Sequence, residues 1–190
     1  MLKKTLQVGS ASRVRVTAAP GNLRVAGWDQ DEVSARTDGD VLDLVLNENE
    51  VTIACDGDLI LSIPRRLSLD LEAVSGDADV RELPSGVAIR EVEGDLALRM
   101  VGASTVGTVM GDMEARESGP LAVEDLRSDL SVRGGKGDLA VKLVDGDVSL
   151  HEIQGNVKLE SVTGDLYVRG VNGNMEVRVE EDAVLYLQPA

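Results

Sequence analysis

Between Gly137 and Asn174 the chain repeats itself every nine residues: GDLAVKLVD, GDVSLHEIQ, GNVKLESVT, GDLYVRGVN and a final GN. Apolar residues fall at the third, fifth and eighth places of each unit. Nine residues supply one strand of four or five residues, rising about 3.3 Å each, and one turn. A strand of that length cannot bury its apolar side alone, so copies must stack on one another. The same pattern runs back to Gly76 through GDADVRELP, SGVAIREVE, GDLALRMV, GASTVGTVM, GDMEARES, GPLAVEDLR and SDLSVRGGK.

The turns predict how many units make one coil. Every second unit from Gly76 carries Asp77, Asp95, Asp112, Asp129, Asp147 or Asp165 at its second place, whereas the units between carry Gly86, Ala103, Pro120, Asp138, Asn156 and Asn174. A three-unit coil would mix the two series at every corner. A two-unit coil of about 18 residues keeps them on separate edges, with parallel strands and, by the usual rule for parallel crossovers, a right-handed wind. Counting back by the same interval reaches Asp58, Asp40 and Asn22. The expectation is therefore one β-solenoid domain over residues 1–190, with nine or ten coils and a length of roughly 45 Å at about 4.8 Å per strand. Within it, 1–75 would form N-terminal coils with longer strands, 76–181 the regular nonapeptide coils, and 182–190 a C-terminal cap strand.

Upstream of Gly76 the pattern is less regular but still β. Alternating runs around Val14 and Val16 and over 23–26, 33–37, 41–46, 51–55, 59–63 and 67–73 are separated by Pro-Gly-Asn, TDGD, NENE, CDGD and PRR. No window shows a helical period, so the fold class is all-β. The chain has no Phe, one Trp and two Tyr among 190 residues, which leaves Val, Leu, Ile and Ala to fill a narrow layered interior. Trp28 is expected to cover an open end of that core.

Charge and chemistry exclude several functions. Nineteen basic against 34 acidic residues give −15, which repels nucleic acid and anionic lipid at long range. No apolar run reaches eighteen residues, so direct membrane insertion is not expected. A cytoplasmic location is expected, with surface or envelope association by another route left open. Cys55 ends an alternating run and reads as a small buried hydrophobe; as the lone cysteine it can form no disulfide within the chain. There is no phosphate-binding G-x-x-x-x-G-K-[ST] loop, no repeated threonine of an ice-binding array, and no second histidine beside His151 to build a metal or nucleophile-base site.

Two columns remain as candidates. The acidic one, Asp40, Asp58, Asp77, Asp95, Asp112, Asp129, Asp147 and Asp165, reads as structural turns in which Gly supplies corner conformations and Asp accepts turn amides. Calcium is not expected there, because the calcium-binding nonapeptide needs glycine and Asp at places that these units fill otherwise. The basic one is the sixth place of the uniform series: Arg81, Arg99, Arg116, Arg133, His151 and Arg169. Like charges one strand apart repel, so something must offset them. Local candidates are Glu82, Glu117 and Glu152 at the seventh place and Asp79 and Glu114 at the fourth. The alternative is a binding stripe for an anionic chain or an acidic patch on a second copy.

The run LILSIPRRLSLDLEAVSGDADVREL, with GWDQDEV before it, resembles the bacterial putative-adhesin family of unknown function. The resemblance covers almost the whole chain through structural motifs, Pro64 and the Gly-Asp turns. It implies a single-stranded right-handed β-solenoid with a binding or envelope-associated role, and it carries no catalytic residues. Relatives look exported or membrane-tethered, whereas no signal or anchor is evident here. The functional expectation is a non-enzymatic binding or scaffold module without cofactor or metal, whose partner is a protein or a glycan. A self-assembling protein stacked end to end, or a homo-oligomer through its ends, is the alternative. A polysaccharide-active enzyme ranks third.

Overall fold

The computed structural model describes residues 1–186. Strands are β1 (Leu2–Gln7), β2 (Arg13–Ala18), β3 (Leu23–Trp28), β4 (Glu32–Thr37), β5 (Leu42–Asn47), β6 (Glu50–Cys55), β7 (Leu59–Pro64), β8 (Ser68–Val74), β9 (Ala78–Arg81), β10 (Val87–Val92) and β11 (Leu96–Arg99). They continue as β12 (Ser104–Val109), β13 (Met113–Arg116), β14 (Leu121–Leu126), β15 (Leu130–Arg133), β16 (Leu139–Val144), β17 (Val148–Gln154), β18 (Val157–Val162), β19 (Leu166–Asn172), β20 (Met175–Val179) and β21 (Ala183–Tyr186). No helix occurs among the described residues, so none is long and apolar enough to cross a membrane.

From β8 onward the chain is the expected solenoid. Odd strands add to sheet A and even strands to sheet B, each in parallel register about 18 residues on, through about seven turns. The two sheets enclose one apolar cluster that runs from Val8 to Val168. Two devices create the third-fifth-eighth pattern. In sheet A, the residue after the sixth place takes left-handed backbone at Glu82 (φ 59°), Met100 (52°), Glu117 (50°), Gly134 (66°), Glu152 (58°) and Gly170 (72°). That bend turns the eighth place, such as Leu83, Val101 or Ile153, back into the core. In sheet B, the register passes from Ile89↔Val106 directly to Glu91↔Thr108, so Arg90 and Glu91 both face out before Val92 turns in. The irregularity recurs in β12, β14 and β16, as a stacked bulge.

The first 75 residues do not simply continue this winding, which corrects the expected nine or ten sequential coils. Strands β6 and β7 form one level, β8 and β9 another, and the pair β2–β3 lies between them. The chain passes from β7 to β8 over the end of β3, where Arg65 N–H donates to Trp28 O at 3.0 Å. Arg65 and Arg66 hold the crossing: Arg65 reaches Asp29 at 2.7 Å and Glu82, and Arg66 donates to Ala11 O at 2.6 Å and Gly9 O at 2.8 Å. Strands β4 and β5, expected as solenoid strands, run antiparallel to β7 and β6. Strand β1, which the polar LKKTLQ run did not announce, is added outside β4. Trp28 therefore lies over a corner, donating Nε1–H to Glu32 O at 2.8 Å, and not over an end of the core. Residues 187–190 of the expected cap strand lie outside the described residues; β21 pairs parallel with β19.

Two stability predictions follow from the packing. Ser118 occupies an eighth place with 1% exposure, and its Oγ has no hydrogen-bond partner. Ser118→Ala should raise unfolding stability by about 1 kcal/mol in urea titration, because an unpaired buried hydroxyl is removed. Deleting residues 1–28 takes out an interior level and should abolish cooperative melting, whereas deleting 164–190 takes only the terminal strands β19, β20 and β21 and should lower the melting temperature while keeping the transition.

Candidate functional site: the ridge, groove and arginine column of sheet A

The turn column forms a continuous hydrogen-bonded ridge. Asp95 N–H donates to Asp77 Oδ1 at 3.0 Å and Asp112 N–H to Asp95 Oδ1 at 2.8 Å; Asp147 and Asp165 repeat the bond at 2.8 Å. At the N-terminal end the ridge follows spatial order, not chain order. Asp77 N–H donates to Asn22 Oδ1 at 2.9 Å, Asn22 N–H to Asp58 Oδ1 at 2.8 Å, and Asp58 N–H to Asp38 Oδ1 at 2.8 Å. The acceptor at that last step is Asp38, two residues before Asp40. A shorter ridge of the same kind, Asp138 to Asn156 to Asn174, runs along the opposite edge at 2.8 and 3.0 Å.

Close approach explains the glycines of the Asp ridge. A Cβ on Gly94 would stand 2.4 Å from Asp77 Oδ1, and one on Gly111 2.3 Å from Asp95 Oδ1. Neither has positive φ, so the demand is for space and not for a special corner conformation. Ser128 and Glu181 replace the glycine at two rungs, and there the next amide bond lengthens to 3.3 Å at Asp129 and Asp182. Ser128 Oγ meanwhile donates to Asp112 Oδ1 and competes for the same acceptor.

Beside the ridge lies a groove of roughly 760 Å³ along the outer face of sheet A, running from Arg24 to Tyr167. The fourth place of each unit lines it: Arg24, Asp79, Ala97, Glu114, Ser131, Ser149 and Tyr167. These residues were legible in the repeat, yet the side chains share no type: Ala97, Ser131 and Ser149 are small, and the other four are charged or aromatic. Asp79 Oδ1 is buried without a hydrogen-bond partner. Two residues further along each strand, on the same outward face, stand Arg81, Arg99, Arg116, Arg133, His151 and Arg169, paired rung to rung.

The column is neutralised unevenly. Glu114 bridges Arg99 at 3.6 Å and Arg116, whose Nε donates at 2.7 Å. Glu82 turns instead to Arg65, Glu117 lies 4.0 Å from Lys136, and Glu152 lies 3.7 Å from His151 Nδ1, which has no hydrogen bond. Arg81, Arg133 and Arg169 enter no ion pair among the described residues. Cys55 is buried in the sheet B core, where burial pushes its thiol pKa up. It is far in the fold from His151 on the outer face of sheet A. No group of three or more His, Cys, Asp or Glu among the described residues is arranged to hold a metal.

No family model matches the chain, and no curated protein matches it by sequence. Among solved structures, it is similar to a putative cell adhesion protein from Clostridium sporogenes, at 8% identity and TM-score 0.36, over 88% of this chain and 98% of that one. It is likewise similar to a putative adhesin from Parabacteroides distasonis, at 12% identity and TM-score 0.34, over 96% of each chain.

The ridge predicts a clear mutational order. Asp95→Asn keeps an Oδ1 acceptor, as Asn22 and Asn156 do, and should leave the melting temperature nearly unchanged. Asp95→Ala loses one partly exposed hydrogen bond and should cost about 1 kcal/mol. Gly94→Ala should cost more than Asp95→Ala, because the added Cβ collides with both Asp77 and the Gly76 backbone. Chelator should shift none of these melts.

Proposed function

We propose that this chain is a non-enzymatic β-solenoid binding or scaffold module of adhesin type, which engages an extended partner along the outer face of sheet A. The observation that carries this reading is the repetition of one arrangement on one face: an Asp ridge with a groove beside it and a basic column further along the strands recur at successive rungs. Multivalent contact suits such an array, since each rung adds a weak interaction with the same geometry. The separation of Cys55 from His151 supports binding over nucleophilic catalysis, because neither can activate the other. Arg81, Arg133 and Arg169 supply donors that no local carboxylate engages.

Replacing Arg99, Arg116 and Arg133 together with Gln should weaken binding to the strongest hit on a combined glycan and protein array at least tenfold, while the melting temperature stays within a few degrees. Undiminished affinity in the folded variant would reject this face as the site.

A second reading, self-assembly through the ends, draws on one observation: Val184, Leu185 and Tyr186 of β21 are exposed, at 46%, 42% and 57%. Such an edge can pair with another strand. The opposite end carries Lys3 and Lys4 on its edge strand β1, a usual guard against pairing. Growth of scattering mass with concentration would favour this reading over the binding module.

A further inference from the structure

The two ends of the solenoid are finished differently, and the C-terminal one carries an inference that deepens the self-assembly reading above and rests on it. At the N-terminal end Lys4 of β1 reaches Asp43 of β5 at 3.3 Å, so a charge pair joins the last strands of the two sheets. Charge on a terminal strand guards it against further pairing. At the other end the last strands are β20 in sheet B and β21 in sheet A. Met175, Val177 and Val179 of β20 pack partly buried against the core, with no charged residue among them on that inner face.

The backbone of β20 suits one partner, a second copy of the same strand. Val157 N–H donates to Asn174 O at 2.8 Å and Glu180 N–H to Val162 O at 2.9 Å, so the even-numbered backbone groups face β18. By alternation the N–H and C=O of Met175, Val177 and Val179 point off the end of the body, and no strand among the described residues pairs with them. An antiparallel copy centred on Val177 satisfies all of these groups, because the residues that exchange both bonds are then Val177 with Val177 and Met175 with Val179. The outer face is self-complementary in the same register. Glu176 falls opposite Arg178 of the second copy, and Arg178 opposite its Glu176, at the positions where cross-strand side chains come closest.

Both charges are open to that contact. Glu176 and Arg178 are exposed, and neither enters an ion pair among the described residues. Arg178 also ends a row of alternating sign, since the fourth residues of β14, β16, β18 and β20 are Glu124, Lys142, Glu160 and Arg178. Within that row Lys142 Nζ donates to Glu124 at 2.7 Å. The next member in sequence is an anion, which the second copy's Glu176 supplies. Head-to-tail stacking would instead bring β5 to β20, and the one charge on β5, Asp43, is already held by Lys4. A two-fold axis perpendicular to the sheets sets β20 against β20 and β21 against β21, and such an isologous contact closes on itself.

We infer that the C-terminal edge of the solenoid, through β20, pairs antiparallel with the same edge of a second copy to form a closed two-fold dimer.

Sedimentation equilibrium of the full chain from about 1 μM to about 1 mM tests this. The mass should rise to two copies and stop there. Glu176→Arg and Arg178→Glu each set like charges opposite one another, and each should weaken the dimer at least tenfold; both positions are exposed, so the fold should survive. Mixed in equal amounts, the two single variants should associate one to one as tightly as the parent, because every cross-strand pair is again opposite in sign. Should either fail to fold, the double variant Glu176→Arg/Arg178→Glu in one chain restores the signs and should dimerise as the parent does. A monomer at every concentration would overturn the inference and the self-assembly reading together. Mass that climbs beyond two copies would overturn the closed dimer and leave end-to-end assembly standing. A dimer indifferent to the single variants, or no recovery in the mixture or the double variant, would overturn the pairing through β20.

Discussion

The body of this protein depends on a single repeated bond, the backbone N–H of one ridge residue donated to the carboxylate or amide oxygen of the residue one level away. A parallel solenoid has ladder bonds within its strands, but its corners must also pass at the same spacing from level to level. The Asx side chain does this by reaching exactly one rung, and the glycine before it clears the space that the reach requires. Where glycine is absent the bond stretches to 3.3 Å, so the residue pair and not the Asp alone is the unit of the ridge. The same bond accepts either Asp or Asn, which separates its structural role from its charge.

Once the ridge fixes the corners, the two sheets acquire different faces. Sheet A breaks its alternation with left-handed residues and keeps short strands, so ridge, groove and arginine column lie side by side. Sheet B uses a stacked bulge that places two consecutive residues outward and breaks any comparable column. An acidic ridge at the corner and a basic column further along the same strands are thus a consequence of the fold's asymmetry. The net charge of −15 is organised in part as the ridge itself.

Much of this was legible in the residues from Gly76 onward. The alternation of Asp77, Asp95 and Asp112 with Gly86, Ala103 and Pro120 is enough to set the coil length and separate the edges. The first 75 residues resist the same treatment because strand spacing is local, whereas the insertion of β2–β3 between β6–β7 and β8–β9 is decided by long-range pairing. Counting back by eighteen lands on Asp40, while space selects Asp38. The polar run LKKTLQ has no alternation that betrays an edge strand. The groove was hidden for another reason: its lining comes from seven strands, from Arg24 to Tyr167, and exists only when the coils stack. The partners of Arg99 and Arg116 were foreseeable in Glu114, but the capture of Glu82 by Arg65 depends on a crossing that sequence distance conceals.

Amide hydrogen exchange, resolved by residue, tests the ridge most directly. The amides of Asp95, Asp112, Asp147 and Asp165 should be protected although they lie in solvent-exposed turns, and Asp129, in an interior coil behind Ser128, should exchange measurably faster than Asp112 and Asp147 on either side of it. Unprotected turn amides throughout, or an Asp129 as slow as its neighbours, would contradict the account.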